Sequence, residues 1–156
     1  MNKIDHYFWI VGIIVNIANG LFFRSRAAKY IVQNQELKPG YDQLLIRWFI
    51  FANIPFVIMG IGFMLGFTDS MIEYIEPQNP KNTFVLLFYL SILAMFLWFN
   101  VWIFFRDGAA FMAKHPGFIS YSFFGSRKDL TSEIAIKIFT GLLLCGMIFS
   151  IVRMFL

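Results

Sequence analysis

The sequence predicts an all-α integral membrane protein, with four transmembrane helices forming two tandem parallel helical-hairpin repeats. Of its residues, 59% are hydrophobic and only 14% are charged, which is far from the composition of a soluble domain. Four apolar segments approach the ~20 residues that a helix needs to cross a bilayer. We expect these helices at about 7–23, 44–67, 84–105 and 134–156, within a single domain covering 1–156.

A short motif that occurs twice predicts the duplication. Residues 22–28 and 104–110 share five of seven amino acids at an offset of 82 positions. Each copy ends an apolar run, and each is followed by a Pro-Gly-aromatic turn, at 39–41 and 116–118. We therefore expect two related halves, each built from two helices.

Repeat one should cover about 7–67 and repeat two about 84–156. Because each half contains two spans, both halves should have the same orientation and be related by a pseudo-twofold axis along the membrane normal, as in parallel-repeat transporters. Each element of this arrangement has its own support in the sequence.

The distribution of basic residues predicts the orientation, because Lys and Arg accumulate in cytoplasmic loops. Ten of the thirteen flank connections one and three, namely Arg24, Arg26, Lys29, Lys38, Arg47, Arg106, Lys114, Arg127, Lys128 and Lys137. Both termini should therefore face outward (N-out/C-out), and we expect the protein in a bacterial inner (plasma) membrane. Anionic lipid accounts for the basic charge, so no nucleic-acid partner is implied.

In helix one, Gly12, Asn16 and Gly20 recur at intervals of four and share a face. Small residues allow helices to approach closely in lipid, and an asparagine can hydrogen-bond across the contact. We expect this face to pack on another helix, although Asn16, like Asn19, could instead line a polar cavity. We do not expect a cleavable signal peptide, because Arg24 follows the apolar run where a small-residue cleavage site would stand.

Helix one should continue past Arg24 towards Leu37, with the turn at Pro39-Gly40 and Asp42 capping helix two. Helix two contains Asn53 and Pro55, and the missing N–H of Pro55 predicts a kink near Phe51.

Connection two has acidic residues at helical spacing, Asp69, Glu73 and Glu76, and predicts a short helix on the outer surface. The third helix is rich in aromatic residues and has one strongly polar side chain, Asn100. In connection three, residues 121–125 are expected to form a loop on the membrane surface.

Helix four should be capped by Asp129, Thr131 or Ser132. The chemistry of a catalyst or a cofactor site is absent from the sequence. Charged side chains are assigned to the helix ends, and His6 and His115 should lie on opposite sides of the membrane, so that they cannot share a metal. We expect no enzyme activity and no cofactor, and the single cysteine, Cys145, allows no internal disulfide.

The candidate functional site is a basic cluster at the inner interface. If the halves are equivalent, Arg24 and Arg106 become neighbours, with other basic residues close by, namely Arg26, Lys29, Lys114 and His115. Guanidinium pairs suit phosphate, so this cluster could bind an anionic lipid or ligand. The alternative, which we favour, is that these residues are simply topology anchors.

The first functional hypothesis is a non-catalytic protein that acts through helix contacts, as a subunit, scaffold or partner of another membrane protein or of itself. The alternative is a homo-oligomeric channel, transporter or lipid-handling protein with an anionic headgroup site. In that case a polar path between subunits would be lined by Asn16, Asn19, Asn53 and Asn100.

Overall fold

The computed structural model describes residues 7–75, 81–123 and 126–155. Over these residues the chain is predominantly helical, with one small antiparallel hairpin. The elements in chain order are α1 (Phe8–Gln33), a 3-10 turn (Gln35–Leu37), α2 (Lys38–Phe51), α3 (Ile54–Met64), α4 (Ile72–Ile75), α5 (Thr83–Phe105), α6 (Gly108–Lys114), β1 (Ser120–Phe123), β2 (Ser126–Asp129) and α7 (Glu133–Phe155).

Among the described residues, four segments are long and apolar enough to cross a membrane, which confirms the predicted helical fold with four candidate spans. They are Phe8–Gln33, Gln35–Met64, Thr83–Phe105 and Glu133–Arg153. Most of their large apolar side chains that lie away from the interhelical contacts are exposed. Such surfaces are stable only when lipid or another protein covers them.

The first turn lies earlier than expected. Helix α1 ends at Gln33, and the backbone of Asn34 is extended (φ −148°). The side-chain oxygen of Asn34 accepts a hydrogen bond from the Glu36 N–H at 3.0 Å. Pro39 then falls in the first turn of α2, where its missing N–H costs no hydrogen bond. The expected turn at Pro39-Gly40 and the expected cap at Asp42 were therefore wrong, since both lie inside α2.

The kink expected near Phe51 is confirmed. Helix α2 ends at Phe51 and α3 begins at Ile54, with Pro55 in the first turn of α3. Side-chain amides support the backbone at this break. Asn53 Nδ2 donates to the Phe49 carbonyl at 2.7 Å, and Asn16 Nδ2 donates to the carbonyl of Ala52 at 2.7 Å.

In connection two, α4 is a single turn from Ile72 to Ile75. The Glu73 carboxylate accepts the backbone N–H groups of Asp69 (2.7 Å) and Ser70 (3.2 Å), so it is a local helix cap. Tyr74 is buried and its hydroxyl lies 3.1 Å from the Thr68 hydroxyl. The last residue of the expected acidic stripe, Glu76, and the N-terminal His6 lie outside the described residues.

Connection three is more structured than the expected surface loop. Residues 120–123 form strand β1, which pairs antiparallel with β2, and Ser120 is opposite Asp129. The loop assignment at 121–123 was therefore wrong, while residues 124–125 lie outside the description. Of the expected caps for α7, Ser132 Oγ accepts the Ala135 N–H at 3.5 Å, whereas Asp129 belongs to β2.

The two copies of the repeated motif have different backbone structures. In the first copy the helix runs through Ser25 and Arg26 without a break. In the second copy α5 ends at Phe105, Asp107 has a positive φ of 54°, and α6 begins at Gly108. A Cβ on Gly108 would lie 2.6 Å from the Trp102 carbonyl oxygen, so a larger residue cannot occupy this position.

Buried residues form two clusters. The larger cluster contains Phe23, Ala27, Tyr41, Leu44, Leu45, Ile103, Ala109, Met112, Ile119 and Ile136. It joins the end of α1 to α2, α6 and the beginning of α7, and we call this end of the molecule the hairpin end. The smaller cluster, at the opposite end, contains Met59, Phe63, Tyr74 and Val85.

Candidate functional site

Three polar contacts fasten the β-hairpin to α1, and we call them the hairpin clamp. Lys29 Nζ lies 3.2 Å from Asp129 Oδ2, and the Tyr30 hydroxyl donates to the same oxygen at 2.5 Å. Arg26 Nη1 donates to Ser120 Oγ at 3.1 Å. The clamp joins residues that are 94 to 100 positions apart in the sequence.

The clamp holds Asp129 in its charged form. Burial alone would raise the pKa of this carboxyl, but hydrogen bonds from Tyr30 and Lys29, together with the positive charges of Lys29 and Arg26, outweigh it and lower the pKa. The Asp129 side chain is only 10% exposed, whereas that of Lys29 is 60% exposed. The hydrogen bond from Tyr30 is therefore the better shielded of the two contacts to this carboxylate.

His115 is a packing residue in this structure. Its ring stacks on Phe111 with centroids 4.2 Å apart and meets Tyr41 edge-on at 5.1 Å, and its Nδ1 lies 2.7 Å from the Phe111 carbonyl oxygen. A Cβ on Gly40 would lie 2.0 Å from the His115 ring, so the close approach of α2 requires glycine here. The Tyr41 hydroxyl donates to the Pro116 carbonyl at 2.8 Å.

The basic residues proposed for an anionic site lie in different surroundings. Arg26 and Lys29 contact the hairpin, and His115 is buried. The remaining three side chains, those of Arg24, Arg106 and Lys114, are exposed. In the clamp, Lys29 pairs with the Asp129 carboxylate and Arg26 donates to Ser120. An anionic site built on Arg24 and Arg106 stays a prediction.

The face of α1 that contains Gly12, Asn16 and Gly20 lies against α2 and α3. A Cβ on Gly12 would lie 2.2 Å from the Phe56 ring, and one on Gly20 would lie 2.7 Å from the Phe49 ring. Trp48 Nε1 also donates to the Asn16 carbonyl at 3.0 Å. Close packing here therefore depends on the absence of side chains at the two glycines.

Asn19, in contrast, lies on the exposed side of α1. Asn53 lies at the α2–α3 break, 3.4 Å from the amide nitrogen of Asn16. Asn100 is buried, and its Nδ2 donates to the Phe96 carbonyl in its own helix at 2.9 Å. Asn16 and Asn53 therefore meet at the helix break, whereas Asn100 is buried and Asn19 is exposed. A polar path between subunits stays a prediction.

Between the two buried clusters lies a cavity of about 490 Å³, which we call the interhelical cavity. Its lining is mostly aromatic and aliphatic: Asn16, Leu44, Arg47, Trp48, Phe51, Ala52, Pro55, Phe56, Phe88, Ile92, Met95, Phe96, Trp98, Phe99, Asn100, Trp102, Phe118, Ile119, Phe139, Thr140 and Leu143. All four spans and the segment before β1 contribute to this wall.

Few polar groups line the interhelical cavity. The Thr140 hydroxyl donates to the Ile136 carbonyl at 2.8 Å. Among the described residues, Asn100 Oδ1 is buried and has no hydrogen-bond partner. The Arg47 guanidinium carbon lies 5.8 Å from the ring centroids of both Trp98 and Trp102, a cation–π arrangement.

The sequence analysis missed the role of Arg47 by grouping it with the topology anchors. In the structure Arg47 lies in α2, within the span Gln35–Met64, and it is partly buried. The expectation that every charged residue lies at or beyond a helix end was therefore wrong for Arg47. Two features of the sequence could have indicated this role. Arg47 falls inside the predicted helix at 44–67, and Trp98 and Trp102 are one turn apart on another helix.

No protein-family model, curated protein or solved structure matches this chain.

Proposed function

We propose that this chain is a non-catalytic, multi-pass membrane protein that binds a lipid molecule in the interhelical cavity. The observation that supports this function is the cavity itself. Its volume of about 490 Å³ falls within the range of about 300–1,000 Å³ typical of ligand sites. Aromatic and aliphatic walls at the level of the membrane spans favour an acyl chain over a water-soluble ligand.

The hairpin clamp supports an inside orientation for both basic connections. It brings the end of α1 next to β2, so connections one and three lie at the same end of the molecule. By the positive-inside rule this end faces the cytoplasm. We therefore propose an N-out/C-out arrangement in a bacterial inner membrane. A duplicated origin of the two halves remains part of this proposal, and the shared motif is its support.

Lipid handling is favoured over the first hypothesis, in which the protein acts as a subunit or scaffold through helix contacts. Part of the support for that hypothesis was a set of asparagines and glycines suited to helix association, among them Gly12, Asn16 and Gly20. In this chain the same face contacts Phe56, Ala52 and the neighbouring aromatic residues of α2, so it is used within the chain. Association with another membrane protein or a second copy stays a prediction.

A cavity-filling substitution tests the proposal. Ile92 of α5 lines the interhelical cavity, whereas Leu90 of the same helix is 48% exposed and is absent from its wall. Two positions along an α-helix are separated by about 200° of rotation, so they face opposite directions. Ile92→Trp should fill the cavity, while Leu90→Trp should add the same side chain on the lipid side.

The measurement is native mass spectrometry of the protein purified in a mild detergent. Wild type and Leu90→Trp should retain lipid, whereas Ile92→Trp should lose most of it because the occupied volume is no longer available. As a control, gel filtration should show that both variants are monodisperse. Equal lipid retention in the two tryptophan variants would show that the lipid lies outside the cavity and would refute the proposal.

A further inference from the structure

Arg47 is the one charged side chain among the described residues that line the interhelical cavity. An arginine within a membrane span is costly to insert, so such residues are usually paired or functional. Among the described residues, the Asp129 carboxylate pairs with Lys29, and no carboxylate forms an ion pair with Arg47. Its positive charge is therefore uncompensated at the cavity wall.

The aromatic residues around Arg47 position its charge without neutralising it. Trp98 and Trp102 are four residues apart on α5 and present two rings at equal distances of 5.8 Å from the guanidinium carbon. A guanidinium group has five N–H donors in a planar fork that matches two oxygens of a phosphate. Contact with ring faces leaves these in-plane donors available for an anion.

The depth of Arg47 suits a lipid headgroup at the hairpin end. Trp48, the next residue, packs against Gly20 of α1. Arg24 is one turn further along α1, so Arg47 lies roughly one helical pitch of ~5 Å deeper than the proposed basic anchor. Long basic side chains reach from such positions to the interface. The cavity then continues from Arg47 between the apolar walls of the spans.

We propose that the interhelical cavity binds an acyl chain of an anionic phospholipid, whose phosphate is held by the Arg47 guanidinium. This inference rests on the proposed function and adds the class of lipid and the residue that selects it. Charge complementarity is the argument for the anionic class, because a neutral amphiphile would leave the Arg47 charge uncompensated in a low-dielectric setting.

The test compares two lipids with identical acyl chains, dioleoyl phosphatidylglycerol and dioleoyl phosphatidylcholine. Each is titrated into delipidated protein in detergent, and the dissociation constant is read by native mass spectrometry. Wild type should prefer the phosphatidylglycerol. Arg47→Gln should weaken its binding by about tenfold, as expected for the loss of one charged hydrogen bond. Binding of the phosphatidylcholine should change little.

Two variants make the result specific to Arg47. Lys38→Gln removes one positive charge from an exposed position at the same end and should leave the preference intact. Arg47→Lys keeps the charge and should keep much of the preference, which separates a loss of charge from a loss of folding. An equal loss in Lys38→Gln and Arg47→Gln would mean general attraction to a basic surface and would overturn the inference.

The remaining outcomes separate this inference from the proposed function. If Ile92→Trp abolishes binding of both lipids while Arg47→Gln changes neither, the cavity binds lipid without recognising its headgroup, and only the inference fails. If Arg47→Gln weakens binding while Ile92→Trp does not, the acyl chain lies elsewhere and both fail. Inorganic phosphate in excess should not displace the phosphatidylglycerol. Displacement would mean that Arg47 binds free phosphate and would refute the binding of a lipid headgroup by Arg47.

Discussion

Breaking the hairpin clamp should destabilise the whole fold, because it connects residues 99 positions apart. Tyr30→Phe removes one hydroxyl, and Asp129→Ala removes the acceptor of both the Tyr30 hydrogen bond and the Lys29 ion pair. A hydrogen bond to a charged group contributes about 1.5–3 kcal/mol. The ion pair contributes little, because the Lys29 side chain is exposed to water.

From this magnitude we expect Tyr30→Phe to lower the free energy of unfolding by about 1.5–3 kcal/mol. Asp129→Ala should cost at least as much, because it removes the acceptor of the same hydrogen bond together with the Lys29 contact. Lys29→Gln should cost much less than either, because water already surrounds much of that side chain. The ordering of the three variants therefore follows from burial, since the Asp129 side chain is 10% exposed and that of Lys29 60%.

The assay is equilibrium unfolding in mixed detergent micelles, followed by circular dichroism, for the wild type, both single variants and the Tyr30→Phe/Asp129→Ala double variant. Residues that share a hydrogen bond should give a coupling energy above about 0.5 kcal/mol in this cycle. Lys29→Gln is the matched control for the loss of charge alone. Additive effects of Tyr30→Phe and Asp129→Ala, or a Lys29→Gln cost as large as theirs, would refute the contribution assigned to the clamp.

Three further predictions concern pH, packing and topology. The pKa of Asp129 in the folded protein lies below its usual value. The stability advantage of wild type over Asp129→Ala should therefore be full above about pH 4 and disappear as the pH falls through the folded pKa. Unfolding measured at several pH values checks this. An advantage that persists in strong acid would contradict this sign. Gly12→Ala should lower the detergent midpoint of unfolding by overpacking against Phe56, a cost of about 1–3 kcal/mol, whereas Gly146→Ala, with nothing within 4 Å, should not. Equal midpoints would count against tight packing. Single cysteines at Asn34 and at Asp69 in a cysteine-free background should be labelled from the cytoplasm and from outside, respectively, and the reverse pattern would invert the proposed orientation.

The sequence was most informative where a structural feature depends on local chemistry. The four spans follow from apolar length, and the break after Phe51 follows from the missing N–H of Pro55. The turn after α1 was placed too late because Pro39 is compatible with either a turn or the first turn of a helix. Asn34 decides between them by capping the 3-10 turn, and nothing in the sequence ranks one choice above the other.

The β-hairpin could not be predicted because its determinants are distant in the chain. Its flanks contact Arg26 and Tyr30 of α1, which precede it by more than 90 residues. The two copies of the repeated motif differ in backbone for a local reason. Its two mismatches, Asp107 and Gly108, are the residues at which the second copy leaves the helix, since one has a positive φ and the other packs on the Trp102 carbonyl. Five identities in seven therefore did not imply the same backbone.

The role of Arg47 at the interhelical cavity was missed because a count of basic residues treats every arginine near a helix end alike. What distinguishes Arg47 is the surface that α5 presents to it. Trp98 and Trp102 share one side of α5, while Asn100 lies about 200° away from each. Phe104, one turn beyond Asn100, lies 3.7 Å from a Cβ built on Gly141, which identifies that second side with α7. A ligand in the cavity would therefore lie along the aromatic surface between these two sides, with Arg47 at one edge. The position of the uncompensated charge, at an edge of an apolar wall and away from its centre, is the arrangement that an amphiphile with a single charged end requires.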